Sequence, residues 1–282
     1  MSYRCFDVDL SEGVAHVQMS RPDEYNSMIR EFWRELPELV TELSDGGQAR
    51  AMVLSSTGPH FSAGMDLAVF GAGALSNGDG QAGAEPGRRS GNVMLLVRRL
   101  QETFTVLERA RMPVLAAVQG GCMGGAMDLI TACDMRFASA DAFFVVQETN
   151  IGMAADVGTL QRLPKIIPDG VARELVYTGR RMPAARAREV GLVNEVFPDH
   201  TSLVEGTLAV AREIADKSPL AIWGCKESLV HARDHSVADG LDHIAMWQMG
   251  GLQSAEMMEA FAARGEKRPA AFADLPPAPQ GL

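Results

Sequence analysis

The chain has 282 residues, enough to bury a large core in one domain or in one domain with an appendage. Its formal charge of −10 argues against a nucleic-acid partner, which needs a basic surface, and no apolar stretch approaches the ~20 residues of a membrane span. The four cysteines, Cys5, Cys122, Cys133 and Cys225, lie far apart with no CxxC pair, so neither a disulfide framework nor a metal ribbon is indicated.

Gly13–Met19 reads as a strand. After the turn residues Arg21-Pro22-Asp23, a helix is predicted from Ile29, Phe32, Trp33, Leu36, Leu39, Val40 and Leu43 at 3/4 spacing, ended by Asp45-Gly46-Gly47. Ala51–Leu54 is a wholly apolar run of the kind buried on both faces of a sheet, and Val114–Val118 is a second. Between them, glycines 71, 73, 78, 80, 83, 87 and 91 interrupt a segment of little apolar content, which reads as a mobile loop and a candidate lid. An amphipathic helix is predicted from about Gly91 to Glu108, with Val93, Leu96, Val97, Leu100, Phe104 and Leu107 on one side. From Ser202 to Phe272 the pattern is helical. Its apolar positions exceed what one helix layer hides, so it must pack on the α/β part or on another subunit. The Pro-rich tail from Leu275 reads as frayed. The expected division is an α/β core over residues 1–200 and a helical region over 201–282.

Phe61-Ser-Ala-Gly-Met-Asp-Leu67 follows the first apolar strand, and Gln119-Gly-Gly-Cys-Met-Gly-Gly-Ala-Met-Asp-Leu129 follows the second. Glycine before a helix start frees backbone N–H groups to receive developing negative charge, although taken singly the first segment fits a plain strand-to-helix turn with Asp66 in the first helical turn better. Neither segment is a dinucleotide or P-loop fingerprint. Asp128, among Met127, Leu129 and Ile130, is either a first-turn dipole partner or a tuned acid/base. Glu148 reads as a surface residue and Asp156 as a helix cap when each is taken singly. As a set, three carboxylates beside two glycine-rich helix starts suit a reaction that removes and replaces protons while an oxyanion forms. The histidines form no zinc grouping: His16 falls in a strand, His60 in a turn, and His231, His235 and His243 on helices. G-x-S-x-G is absent, which disfavours a serine hydrolase.

Together, FSAGMDL, GGCMGGAMDL, Thr159-Leu-Gln-Arg-Leu-Pro164 and Ala187-Arg-Glu-Val-Gly-Leu-Val193 resemble the crotonase (enoyl-CoA hydratase/isomerase) family in family order, from about Val14 to at least Pro198. The resemblance implies an α/β fold, a ββα superhelical spiral with a C-terminal helical trimerisation region, and a homotrimer or homohexamer. It implies an acyl-CoA thioester as substrate, no separate cofactor and no metal. By the same carry-over, the N–H groups of Met65 and Gly125 form the oxyanion hole, and Ala63, Gly64, Met65, Asp66, Leu67 and Gly125 line the CoA path. Asp128 and Glu148 take the two acid/base positions that hydratases fill with two glutamates. Asp128 in place of Glu, with Asp156 added, resembles the dienoyl-CoA isomerase branch, which converts 3,5-dienoyl-CoA to 2,4-dienoyl-CoA. The rivals are a hydratase and a non-catalytic acyl-CoA or RNA binder of the same fold. MSYRCFDVDL shows no secretory signal and Pro279-Gln-Gly-Leu282 is not SKL, so the expected location is a bacterial-type cytoplasm.

Overall fold

The computed structural model describes residues 3–66, 68–69, 86–251 and 255–279. Strands β1 (Phe6–Ser11) and β2 (Val14–Met19) form an antiparallel hairpin, and helix α1 (Arg30–Gly46) leads to β3 (Ala51–Ser56), which pairs parallel with β2. Helix α2 (Pro86–Arg109) precedes two ββα turns of the chain. In the first, β4 (Val114–Val118) joins β3, β5 (Gly121–Met123) leaves for a second sheet, and α3 (Gly125–Thr131) follows. In the second, β6 (Met135–Ser139) pairs with β4, β7 (Phe143–Val145) pairs with β5, and a 3₁₀ turn (Glu148–Ile151) and α4 (Thr159–Ile166) follow. Helix α5 (Asp169–Thr178), β8 (Met182–Pro183), α6 (Ala184–Glu189) and β9 (Glu195–Phe197) complete a six-stranded sheet ordered β1-β2-β3-β4-β6-β9 and a three-stranded sheet ordered β5-β7-β8.

The wholly apolar strands are explained by what covers each face. Met52, Leu54, Val114, Ala116 and Val118 join the main core with α1 and α2, whereas Ala51, Val53, Leu115 and Ala117 face a second cluster. That second face is closed by helix α7 (His200–Ala215), through Leu203, Ala211 and Ala215. A strand buried on both sides cannot carry the alternating polar residues of a half-exposed one.

Helices α8 (Pro219–Asp234), α9 (Val237–Gly251) and α10 (Ala255–Glu266) end the chain. Lys226 of α8 anchors them: its buried ammonium donates to the carbonyls of Leu107 (2.6 Å) and Met112 (2.9 Å) and to the carboxylate of Asp134 (2.8 Å). A buried ammonium is tolerable only when so satisfied. His231, His235 and His243 come together as a stack, with ring centroids 3.8 and 4.2 Å apart. Among the described residues no group of three His, Cys, Asp or Glu could hold a metal ion, and no helix is long and apolar enough to cross a membrane.

Two expectations need correction. Helix α2 starts at Pro86, so Gly87 and Gly91 lie within it rather than in a loop; glycines 71, 73, 78, 80 and 83, and with them the candidate lid, lie outside the described residues. The described part of the tail, residues 275–279, is docked rather than frayed. Leu275 is buried, Ala278 N–H donates to the Asp45 carbonyl at 2.7 Å, and Arg111 donates to the Pro276 carbonyl at 3.0 Å. The apolar anchor and these backbone bonds outweigh the disorder that proline content suggests.

Candidate active site

The two glycine-rich segments meet because their backbones pair. Phe61 N–H donates to Gln119 O (2.8 Å), Ser62 N–H to Gly121 O (3.1 Å) and Met123 N–H to Ser62 O (3.1 Å). Met28 holds the next residues from the other side, donating to Gly64 O at 2.8 Å and accepting from Asp66 N–H at 3.2 Å. This ladder leaves Met65 N–H facing away from Met28, and Gly125 N–H stands at the first position of α3, where a helix offers no internal partner. Neither N–H has an acceptor among the described residues. They are close neighbours: a Cβ added at Gly125 would stand 3.6 Å from Met65 N, and one at Gly64 would stand 3.0 Å from Gly125 N. Two convergent, unpaired donors at a helix start can receive a developing oxyanion.

Asp128 lies three residues along α3 from Gly125 and is completely buried. Its Oδ1 accepts the Thr159 N–H at 2.6 Å, while Oδ2 has no partner among the described residues. Asp128 stands in the first turn of α3, yet the backbone N–H it accepts is the one at the start of α4. Burial, then the charge of Glu148, pushes its carboxyl up to about 7 against the Thr159 N–H bond and the nearby Thr159 hydroxyl, so near neutrality it can hold or release a proton.

Glu148 opens the 3₁₀ turn after β7. Its carboxyl lies over the second glycine turn: a Cβ on Gly124, whose φ is +55°, would stand 3.3 Å from Glu148 Oε1. The side chain is half-buried, with Oε2 enclosed and unpartnered among the described residues, so it is no ordinary surface glutamate. Burial and then the charge of Asp156 raise its pKa, countered by the backbone N–H groups around it. Asp156 is largely exposed, and what desolvation it has raises its pKa. It does not cap α4, whose N-cap is Gly158 without a side-chain hydrogen bond. Buried carboxylate oxygens without partners are costly, and sites that must bind and move protons are where such groups persist.

Asp66 is differently placed. The Ser27 hydroxyl donates to it at 2.7 Å and Ala68 N–H at 2.9 Å, holding its carboxyl below the usual range, so it organises the turn after Met65 as an ionised cap. Ala63 and Gly64 lie in the paired segment, with Ala63 N–H bound to Tyr25 O at 2.9 Å, and Leu67 lies outside the described residues. A cavity of about 330 Å³ lined by Ser218, Gly224, Trp247, Glu256 and Phe272 lies among the C-terminal helices and contains none of the three carboxylates.

A pattern describing the enoyl-CoA hydratase/isomerase family matches residues 9–275. The chain belongs to that family. Its two-sheet spiral of ββα turns with C-terminal helices is the crotonase fold, and the solved enoyl-CoA hydratase of Bacillus anthracis superimposes with a TM-score of 0.83 at 29% identity, covering 95% of this chain and 99% of that one. Among crotonase relatives, the human mitochondrial delta(3,5)-delta(2,4)-dienoyl-CoA isomerase is 44% identical over 256 residues, 90% of this chain and 77% of that protein. The peroxisomal delta(3,5)-delta(2,4)-dienoyl-CoA isomerase of Arabidopsis thaliana is 36% identical over 277 residues, 97% of this chain and 99% of that protein. These names overturn the cytoplasmic expectation, since the relatives are mitochondrial or peroxisomal.

Several residues of this crotonase site were invisible as motifs. The Met28 backbone braces Gly64 and Asp66 on either side of Met65, and His60 Nδ1 accepts Gly121 N–H at 2.9 Å, positioning the second glycine segment. Thr159 sat inside the family-like TLQRLP run, yet nothing in its spacing tied it to Asp128.

Proposed function

We propose that the chain isomerises a 3,5-dienoyl-CoA to the conjugated 2,4-dienoyl-CoA in the breakdown of unsaturated fatty acids. The observation that carries this reading is the pairing of a fully buried Asp128, held near neutrality, with Glu148 beside the unpaired N–H groups of Met65 and Gly125. The names of the 44% and 36% identical relatives support the same reaction. Glu148 takes the C2 proton, and the electron pair of that bond spreads through the diene onto the thioester oxygen, which Met65 and Gly125 hold. Asp128 delivers its proton to C6, the pair returns as the new double bonds, and the product leaves with the carboxyls' protons exchanged. Asp156 tunes the other two by its charge. Each placed carboxylate contributes roughly 10²–10⁴-fold and each oxyanion donor about 10²–10³-fold. Coenzyme A enters as part of the substrate, its path running along Ala63, Gly64, Met65, Asp66 and Gly125, and the reaction as written needs no separate cofactor.

The helical region over 201–282 assembles the protein into a homotrimer or homohexamer. Supporting this, Leu241, Met246, Met249, Met258 and Phe261 are exposed on α9 and α10, large apolar side chains of the kind an interface covers.

The deciding assay mixes purified protein with 3,5-dienoyl-CoA and follows the absorbance of the conjugated product. No rise, with water addition to a 2-enoyl-CoA instead, would make the protein a hydratase.

A further inference from the structure

Asp128 has two oxygens in unlike surroundings, and one residue makes them so. Oδ1 accepts Thr159 N–H at 2.6 Å, whereas Oδ2 is buried and unpartnered among the described residues. The acid proton therefore belongs on Oδ2, since an oxygen already accepting a short N–H bond is the poorer place for it. The Thr159 hydroxyl is also fully buried and unpartnered among the described residues, yet it lies close enough to Asp128 to favour its ionised form. A buried hydroxyl with nothing to bond is unusual unless a partner arrives during function.

Thr159 is held firmly in place. It is the first residue of α4, and Arg162, one turn on, donates to Val157 O (3.4 Å), Thr105 Oγ1 (3.1 Å) and Glu108 (2.8 Å). Glu108 also binds Arg233 of α8, so the segment carrying Asp156 and Thr159 is braced by α2 and by the C-terminal helices together. The charged and titratable groups around Asp128 are Glu148 on the 3₁₀ turn, Asp156 before α4 and the buried thiol of Cys122 on β5; Arg162 is engaged by Glu108. Glu148 and Asp156 disfavour a negative Asp128, whereas the Cys122 thiol, its pKa raised by burial, stays neutral beside it. Thr159 is what opposes the two carboxylates.

Building on the isomerase reading above, we propose that Thr159 is the positioning residue of the acid: its N–H pins Oδ1 and aims Oδ2 at the substrate, and its hydroxyl closes onto the carboxylate left once the proton has gone. The hydroxyl thus acts late in the proton transfer, when Asp128 becomes charged, and binds no substrate. Removing it raises the acid's pKa and slows the step, and it leaves substrate affinity nearly unchanged.

The test compares wild-type, Thr159→Val and Thr159→Ser enzymes in two readouts. With ¹³C-aspartate labelling and the resonance identified by its loss in Asp128→Asn, Thr159→Val titrates at higher pH than wild type and Thr159→Ser matches wild type. In turnover, Thr159→Val loses roughly 10-fold in kcat with KM nearly constant, its alkaline limb moves to higher pH, and Thr159→Ser recovers most of the rate. An Asp128 titration unmoved in Thr159→Val, or a Thr159→Ser enzyme as impaired as Thr159→Val, overturns the assignment. If wild type fails to turn over 3,5-dienoyl-CoA, the isomerase reading falls instead, and the titration alone still decides the role of Thr159.

Discussion

Gly64 and Met123 approach so closely that a Cβ on Gly64 would stand 2.5 Å from the Met123 carbonyl oxygen. Gly64 also has φ +82°, a conformation that side chains rarely adopt. Gly64→Ala must therefore push the Phe61–Asp66 segment away from Gly125 and part the two N–H donors. The expected outcome is a loss of at least ~10²-fold in kcat/KM, as for removal of one oxyanion donor, with a lowered melting temperature. Unchanged kcat/KM would mean that the donors are not where the reaction needs them.

The roles given to Glu148 and Asp128 differ and can be separated by isotope exchange. In Asp128→Asn, bound substrate should still exchange its C2 hydrogen with deuterated water while product formation falls by about 10²-fold or more. Glu148→Gln should lose both. C2 exchange that survives in Glu148→Gln and vanishes in Asp128→Asn would reverse the two assignments.

Asp156 raises the pKa of both Glu148 and Asp128 by its charge. Asp156→Asn keeps the shape and removes that charge, so both pKa values fall. Glu148 works ionised, and the acid limb of the rate profile should move to lower pH. Asp128 works protonated, and the alkaline limb should move the same way, with a clear loss of rate at neutral pH. A profile that stays in place would leave Asp156 without a part in the reaction.

Burial of Asp128 makes stability depend on pH in a definite direction. Its pKa rises from 3.8 to about 7 on folding, so between these values the folded chain keeps a proton that the unfolded chain has lost. Stability contributed by this group is fully present below about pH 4, declines through the window and is lost above about pH 7. The shift of about three units corresponds to about 4 kcal/mol. Asp128→Asn removes the penalty, so in urea unfolding at pH 8 the variant should be more stable than wild type, and the gap should close toward pH 4. An equal gap at both pH values would show that Asp128 is not held protonated by the fold.

The exposed apolar side chains of α9 and α10 predict an assembly. Light scattering at micromolar concentration should give three or six times the 30.3 kDa chain mass. A stable monomer would count against the proposed trimer or hexamer.

Much of this arrangement was legible before folding was considered. The runs Ala51–Leu54 and Val114–Val118 announced strands buried on both faces because nothing polar interrupts them, and the 3/4 spacing from Ile29 to Leu43 announced α1. The glycine-rich segments and the set Asp128, Glu148 and Asp156 pointed to the family and its chemistry, since glycine is what a backbone needs to come close to a ligand. Two features were not legible: Gly87 and Gly91 are helical against their propensity, and the proline-rich tail docks through residue 279 because Leu275 finds a buried place.

Local pattern could not decide between a capping aspartate and a tuned one, because pKa depends on which groups crowd together from distant parts of the chain. Burial and the charge of Glu148 push the Asp128 pKa up, and its two oxygens differ because Thr159, 31 residues away in sequence, ends up 2.6 Å from one of them. The sequence by itself determined the strands, the main helices and the family of chemistry, all written in nearest-neighbour pattern and residue type. Which carboxyl holds a proton, and on which oxygen, was decided by burial and by one backbone hydrogen bond that exist only in the tertiary structure.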